Sequence, residues 1–299
     1  MTPESVPESA PFARSWTSRD GLRLFYRDYP GSAERPPLVC LSGLTRNSRD
    51  FADFAERYAG RFRVIVPDFR GRGLSDRDPQ PERYNPKIYA ADILALLDEL
   101  EVDRAVFVGT SLGGIVAMLL AAIQPQRIAA TILNDVGPDL DTSGLERIRT
   151  YVGRPVRFAD WDEAARRARD ISRGLPASNT HEDWLRVARR LFTEDGDAII
   201  LDYDMAIAEV FNPPKNEEQP AFDMWPLYRA LGHSPLLIVR GEASDLLSAE
   251  ASAAMLEAIP AAELVTVPGV GHPPDLTEPV ATVAIDAFLA QFDPAPARS

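Results

Sequence analysis

The chain has one cysteine, Cys40, and three histidines, His181, His233 and His272, in 299 residues. One cysteine excludes an internal disulfide. Flanked by Leu38, Val39 and Leu41, it reads as a small hydrophobe inside a strand. No run approaches the ~18 apolar residues that a membrane span needs. The first residues, Met1 to Glu8, offer neither a basic nor an apolar region that would mark a signal peptide. Cytoplasmic residence is expected, with no membrane partner. Basic side chains are outnumbered, 32 Lys+Arg against 45 Asp+Glu, for a net charge of −13. That balance argues against nucleic acid or an anionic membrane surface as a partner. The acidic residues are scattered, as on a solvated surface. There are no internal repeats, no cluster of metal-ligating residues and no cofactor motif. Gly71-x-Gly73 lacks the third glycine and the acidic partner of a dinucleotide fingerprint, and reads as a tight turn. No metal and no cofactor are expected.

What remains is ordinary for a globular protein: 45% hydrophobic and 26% charged residues, in a chain long enough to bury a large core. Phe12–Ser18 and Leu22–Tyr29 read as an antiparallel pair turned at Arg19-Asp20-Gly21. Strands then alternate with helices: 37–41 with 50–58, 62–66 with 86–100, 105–109 with 111–124, then a strand at 128–133. This alternation predicts an α/β fold, a mainly parallel sheet with helices on both faces. The rhythm breaks after Gly137-Pro138 and resumes at Pro235. Three helices are predicted between, opening at Ser143-Gly-Leu-Glu146, Asp160-Trp-Asp-Glu163 and Thr180-His-Glu-Asp183, each with a capping-box-like start and apolar residues at helical spacing. Residues 1–11 and 293–299 read as disordered tails.

The hexapeptide Gly109-Thr110-Ser111-Leu112-Gly113-Gly114 carries the chemistry. It joins the apolar run 105–108 to a small-residue helical run, the strand–turn–helix setting of a G-x-S-x-G nucleophile elbow. Glycines two residues either side of Ser111 remove Cβ atoms that would clash as strand and helix close up. The alternative is a glycine-softened turn whose serine merely caps the helix. A serine hydroxyl needs a general base. His272 lies in the Gly/Pro loop Val267-Pro-Gly-Val-Gly-His272-Pro-Pro274, after the apolar run 264–267. Loops at strand ends display reactive groups in such folds. The buried strand 235–241 is followed by Glu242-Ala-Ser-Asp245, which supplies a carboxylate. Taken singly, Asp245 reads equally as a helix cap and His272 as a satisfied loop histidine. The order Ser111…Asp245…His272 fits a triad. A second acid, Asp135 in Leu133-Asn134-Asp135-Val136, ends the sixth strand, and is read as an anchor for the segment that leaves there.

With these features the chain resembles the α/β-hydrolase superfamily, of the capped esterase, lactonase and epoxide-hydrolase-like type, from about Trp16 to Phe292. Val39-Cys40-Leu41-Ser42-Gly43-Leu44 resembles the oxyanion strand and loop, with Ser42-Gly43 where many relatives carry His-Gly. Pro67-Asp68-Phe69-Arg70-Gly71-Arg72-Gly73-Leu74-Ser75 resembles the D-x-R-G-x-G-x-S turn. The acid Asp245 stands four residues past Gly241, where three is more usual. The resemblance implies a core of 12–137 and 226–292, with a helical cap of 138–225 inserted after the sixth strand. It implies catalysis by Ser111, Asp245 and His272, with the N–H groups of Leu44 and Leu112 as oxyanion hole. Arg46 and Asn47, next along the loop, are candidate substrate contacts, or equally a solvent-facing arginine and a turn asparagine.

Trp161, Trp184, Phe192, Tyr203, Met205 and Phe211 are candidates for the pocket wall, although residues of this kind more often hold such a cap together. The expected activity is hydrolysis of small carboxylic esters through an acyl-enzyme. Lactone opening on the same residues is the alternative, and a catalytically silent small-molecule-binding protein of this fold is a third reading. A serine in the elbow disfavours epoxide-hydrolase and dehalogenase chemistry, where relatives carry aspartate. Pro273-Pro274 after the histidine lacks the tryptophan of many carbon–carbon bond hydrolases. The expected partner is a small ester or lactone, with the chain a monomer or homodimer.

Overall fold

A computed structural model describes residues 12–172, 179–211 and 223–293, and side chains through 209 in the second span. The predicted tail 1–11, the predicted tail 293–299 beyond Asp293, and the Phe211 side chain lie outside the described residues, while Asp293 is placed and pairs with Arg61.

The chain opens with β1 (Ala13–Thr17) and β2 (Arg23–Tyr29), paired antiparallel, then β3 (Leu38–Leu41), α1 (Ala52–Tyr58) and β4 (Val64–Pro67). α2 (Pro86–Glu99), β5 (Ala105–Thr110), α3 (Leu112–Ile123) and β6 (Ile128–Asn134) follow. Next come α4 (Thr142–Arg149), β7 (Arg157–Phe158), α5 (Trp161–Ile171), α6 (His181–Leu191), β8 (Phe192–Asp195), β9 (Ala198–Leu201) and α7 (Ile207–Phe211). α8 (Trp225–Ala230), β10 (Leu236–Gly241), α9 (Ala249–Ala258), β11 (Glu263–Val267) and α10 (Pro279–Leu289) complete the described order.

Eight strands form one sheet in the order β1-β2-β4-β3-β5-β6-β10-β11. β2 meets β4 antiparallel, and every pair from β4 to β11 is parallel. The inner strands are apolar on both faces because helices cover both. Tyr89, Ile93, Val116, Leu120, Tyr228 and Met255 bring α2, α3, α8 and α9 onto one face. Phe54, Tyr58, Ile285 and Phe288 bring α1 and α10 onto the other. In β5, Val106, Phe107 and Val108 are fully buried, each worth about 1.5–3 kcal/mol of burial.

The segment after β6 departs from the expectation of helices alone. The three predicted helices are present as α4, α5 and α6, and the Thr180–Asp183 capping box is formed. Asp141, rather than Ser143, caps α4. A three-stranded antiparallel sheet, β7-β9-β8, stands beside them. Its β8–β9 hairpin turns at Gly196, at φ 61, after Asp195. Asp-Gly favours such tight hairpins because glycine accepts positive φ without strain. Trp184 and Phe192 are buried with Ala164 and Ile199, and Trp161 packs against them, so these aromatics hold the insertion together. Tyr203 and Met205 pack onto the main core.

One buried ionic cluster braces the turn before α2. Arg70, with a side chain 1% exposed, meets Asp92 at 2.8 and 2.7 Å, Asp20 at 2.8 Å and Asp78 at 2.5 Å. Its guanidinium holds the Asp20 carboxyl far below the usual range. Among the described residues no helix is long and apolar enough to cross a membrane.

Candidate active site

β5 runs into α3 through Ser111, whose φ of 51 and ψ of −115 lie where a side-chain-bearing residue is strained. Two glycines allow the turn. A Cβ on Gly113 would stand 2.0 Å from the carbonyl oxygen of Leu41, and one on Gly109 would stand 2.6 Å from the backbone of Gly113. The strand and helix therefore close tightly enough to lift Ser111 into a pocket, at the helix end that favours negative charge.

His272 lines the same pocket. Its loop is pinned where Asn134 Nδ2 donates to the Pro274 carbonyl at 2.8 Å. The carboxylate that meets the histidine is Asp135, not Asp245. Nδ1 of His272 lies 2.8 Å from Asp135 Oδ2. Asp135 directly follows β6, at φ 58, with its N–H on the Val239 carbonyl. Its side chain is fully buried, and it also accepts from the Gly241 N–H at 2.9 Å and from Ser244 Oγ at 2.7 Å. Those donors offset the cost of burying a carboxylate.

Asp245 falls one residue too far along its loop. Ser244 occupies the third position past Gly241 and reaches Asp135, while the next side chain turns outward to Arg147. Arg147 donates Nε and Nη2 to the two Asp245 oxygens at 2.5 and 2.8 Å. That guanidinium holds the Asp245 carboxyl below its ordinary range. The Asp245 carbonyl stands where a Cβ on Gly144 would come within 2.4 Å, so α4 docks directly on this loop. Asp245 joins the insertion to the core.

The loop after β3 lies against the elbow. A Cβ on Gly43 would stand 3.8 Å from Ser111 Cβ, and Leu44 lines the pocket. Leu112 opens α3, where no preceding turn offers its N–H a helical acceptor. Ser42 Oγ donates to the Arg46 carbonyl at 3.2 Å, closing the loop where many relatives carry histidine. Two residues of the following turn hold it from behind. Arg72, 1% exposed, donates Nε to the Leu44 carbonyl at 2.9 Å, and Asp68 accepts the Ser48 N–H at 2.5 Å. Burial raises the Asp68 carboxyl to about 6.

Arg46 reaches the pocket, bound to Asp50 at 2.6 and 2.5 Å. Asn47 does not line it. It is buried, donating Nδ2 to the Arg190 carbonyl at 3.1 Å and to Asp202 at 3.2 Å, and so ties the loop to the insertion. The pocket is a cavity of about 160 Å³, walled on the insertion side by Ile148, Tyr151, Ile171, Val187 and Leu191. None of the described side chains expected there, Trp161, Trp184, Phe192, Tyr203 and Met205, lines it. Arg147 carries no motif, and Arg72 and Ser244 fill unspecified positions of the turn and loop that contain them, so the sequence assigns none of the three a role.

Residues 38–287 match the Alpha/beta hydrolase family. A 3-hydroxybutyrate-oligomer hydrolase of Cupriavidus necator is 35% identical over 88% of this chain and 91% of its own length. A 2-(acetamidomethylene)succinate hydrolase of Mesorhizobium japonicum is 31% identical over 84% and 88%. A crystal structure of an alpha/beta hydrolase from Novosphingobium aromaticivorans superposes with a TM-score of 0.87 at 49% identity, covering 93% of this chain and 98% of that one. With a strained serine turn and a carboxylate-bound histidine on a sheet of this order, and with a match that spans the core, the chain belongs to the α/β-hydrolase family.

Proposed function

We propose that the protein is a serine hydrolase of small carboxylic esters, acting through an acyl-enzyme on Ser111. The observation that supports it best is the 2.8 Å bond between His272 Nδ1 and Asp135, with His272 and Ser111 in one pocket. A carboxylate on Nδ1 fixes the proton there and leaves Nε2 as the base. Ser111 Oγ attacks the ester carbonyl and gives its proton to Nε2. Asp135 stabilises the resulting imidazolium. The N–H groups of Leu44 and Leu112 hold the oxyanion, each such donor typically worth about 3–4 kcal/mol of barrier. The departing alcohol takes the proton back from Nε2, and water releases the acid by the same route.

Substrate size follows from the enclosure. The insertion forms a cap over the serine, and a cavity of about 160 Å³ accepts a short acyl chain. The Cupriavidus necator relative acts on an oligomer of a hydroxy acid, which is joined by ester links, in keeping with this chemistry. The test is turnover of 4-nitrophenyl acetate, butyrate and laurate, with mass spectrometry of the trapped enzyme. The expected result is fast release from the short esters and a transient acyl mass on the peptide holding Ser111. A preference for laurate would contradict the enclosed pocket. No acyl adduct and no turnover on the short esters or on a small lactone would leave the binding-protein reading standing.

A further inference from the structure

The chain carries a net charge of −13, yet three arginines line the pocket that holds Ser111: Arg46, Arg147 and Arg190. A neutral short ester calls for none of them. Arg190 has its own partners, Asp53 at 2.5 Å and Asp275 at 3.7 Å. Arg46 and Arg147 are placed differently. Each spends Nε and Nη2 on one aspartate, in a side-on pair with Asp50 or Asp245 that does not use Nη1, and Arg147 also bonds to Tyr151. Their side chains are 27% and 22% exposed, partly desolvated and still reachable.

Tyr151 completes the group. It lines the same pocket, and both guanidiniums are near enough to ease ionisation of its phenol. Burial outweighs that effect and raises the phenol above its ordinary value, so near neutral pH it stays a protonated donor. Two guanidinium donors and one hydroxyl donor match the acceptor-only oxygens of a carboxylate, and charge-assisted bonds of this kind are about twice as strong as neutral ones.

We propose that Arg147, Arg46 and Tyr151 form a carboxylate-binding subsite, so that the preferred ester carries a free carboxylate away from its scissile bond. This rests on the serine hydrolase reading above. Because the aspartates already neutralise much of each guanidinium, the subsite discriminates by hydrogen bonding within a partly desolvated wall more than by long-range attraction. It also assigns Asp245 a role other than triad acid, since that carboxylate holds the Arg147 guanidinium through Nε and Nη2.

The experiment compares mono-4-nitrophenyl glutarate with its methyl ester on the full chain, with spontaneous release subtracted. The two share scissile bond and leaving group and differ in the distal charge. The expected result is a kcat/KM at least about tenfold higher for the free acid, carried mainly by KM. Arg147→Met and Arg46→Met should each lower that acid-to-methyl-ester ratio by about fivefold or more. Equal rates for the two esters in the native protein, or an unchanged ratio in both variants, would overturn the subsite. Failure of the hydrolase reading looks different, since neither ester would then be cleaved. The native comparison stands even if a variant folds poorly.

Discussion

His272 and Asp135 are joined through Nδ1 and Oδ2 at 2.8 Å, from two strand-end loops that approach each other around β10. Losing this acid leaves the histidine free to take the wrong tautomer, which costs about ten-thousandfold in the serine protease precedent. Asp135→Asn is expected to lose at least about a hundredfold in kcat with 4-nitrophenyl butyrate near pH 7. Asp245→Asn is expected to lose less than about tenfold, through the Arg147 contact. Steady-state kinetics on both variants decide the matter, and the reverse ranking would return the acid to Asp245.

Ser111→Ala removes one hydroxyl from a turn whose backbone is held by Gly109 and Gly113. Esterase turnover should fall by more than about a hundredfold, while the thermal midpoint stays close to that of the native protein. Residual turnover of a tenth or more would show that another group does the chemistry.

Arg70→Met would strand Asp78 and Asp92, both buried, together with the half-exposed Asp20. Breaking a buried ion cluster from the cationic side typically costs about 3–5 kcal/mol. Urea denaturation should register a loss in that range, and a loss below about 1 kcal/mol would mean that the turn is held by other contacts.

Cys40 sits in β3 with no exposed surface, and burial pushes its thiol well above the ordinary value. The thiolate is the reactive form, so alkaline conditions near pH 8 should not awaken it. Ellman's reagent is expected to titrate no thiol in the folded protein and one after denaturation. Fast reaction in the native state would place this strand at the surface.

Ser111 and His272 were legible because each carries its own local signature: paired glycines around a serine between strand and helix, and a histidine in a Gly/Pro loop past a strand. The alternation of strands and helices gave the core for the same reason. The acid was not legible from local pattern, because Asp135 and Asp245 both follow buried strands. Only packing across β6 and β10 separates them, although the four-residue spacing from Gly241 to Asp245 already pointed to a misfit, and the serine at the third position is the one that reaches Asp135. The β8–β9 hairpin was masked by strong helical spacing up to Phe192, while Asp195-Gly196 carried the contrary signal. Arg46 was marked only by its place next to the oxyanion loop, and Arg147 gave no signal at all, since an arginine on an amphipathic helix reads as surface until the pocket is seen.

Asp135 stands at the root of the insertion, and its carboxylate is fastened to Gly241 and Ser244, at the end of the strand by which the chain has returned to the sheet and in the loop just past it. Departure and return are thereby clasped by the same side chain that meets His272. Ser111, Asp135 and His272 all lie outside whatever is spliced between them. Exchanging the segment that runs from α4 to α7 for one from another hydrolase should therefore alter which substrates enter without dismantling the site beneath, and makes this chain a natural host for grafted specificity.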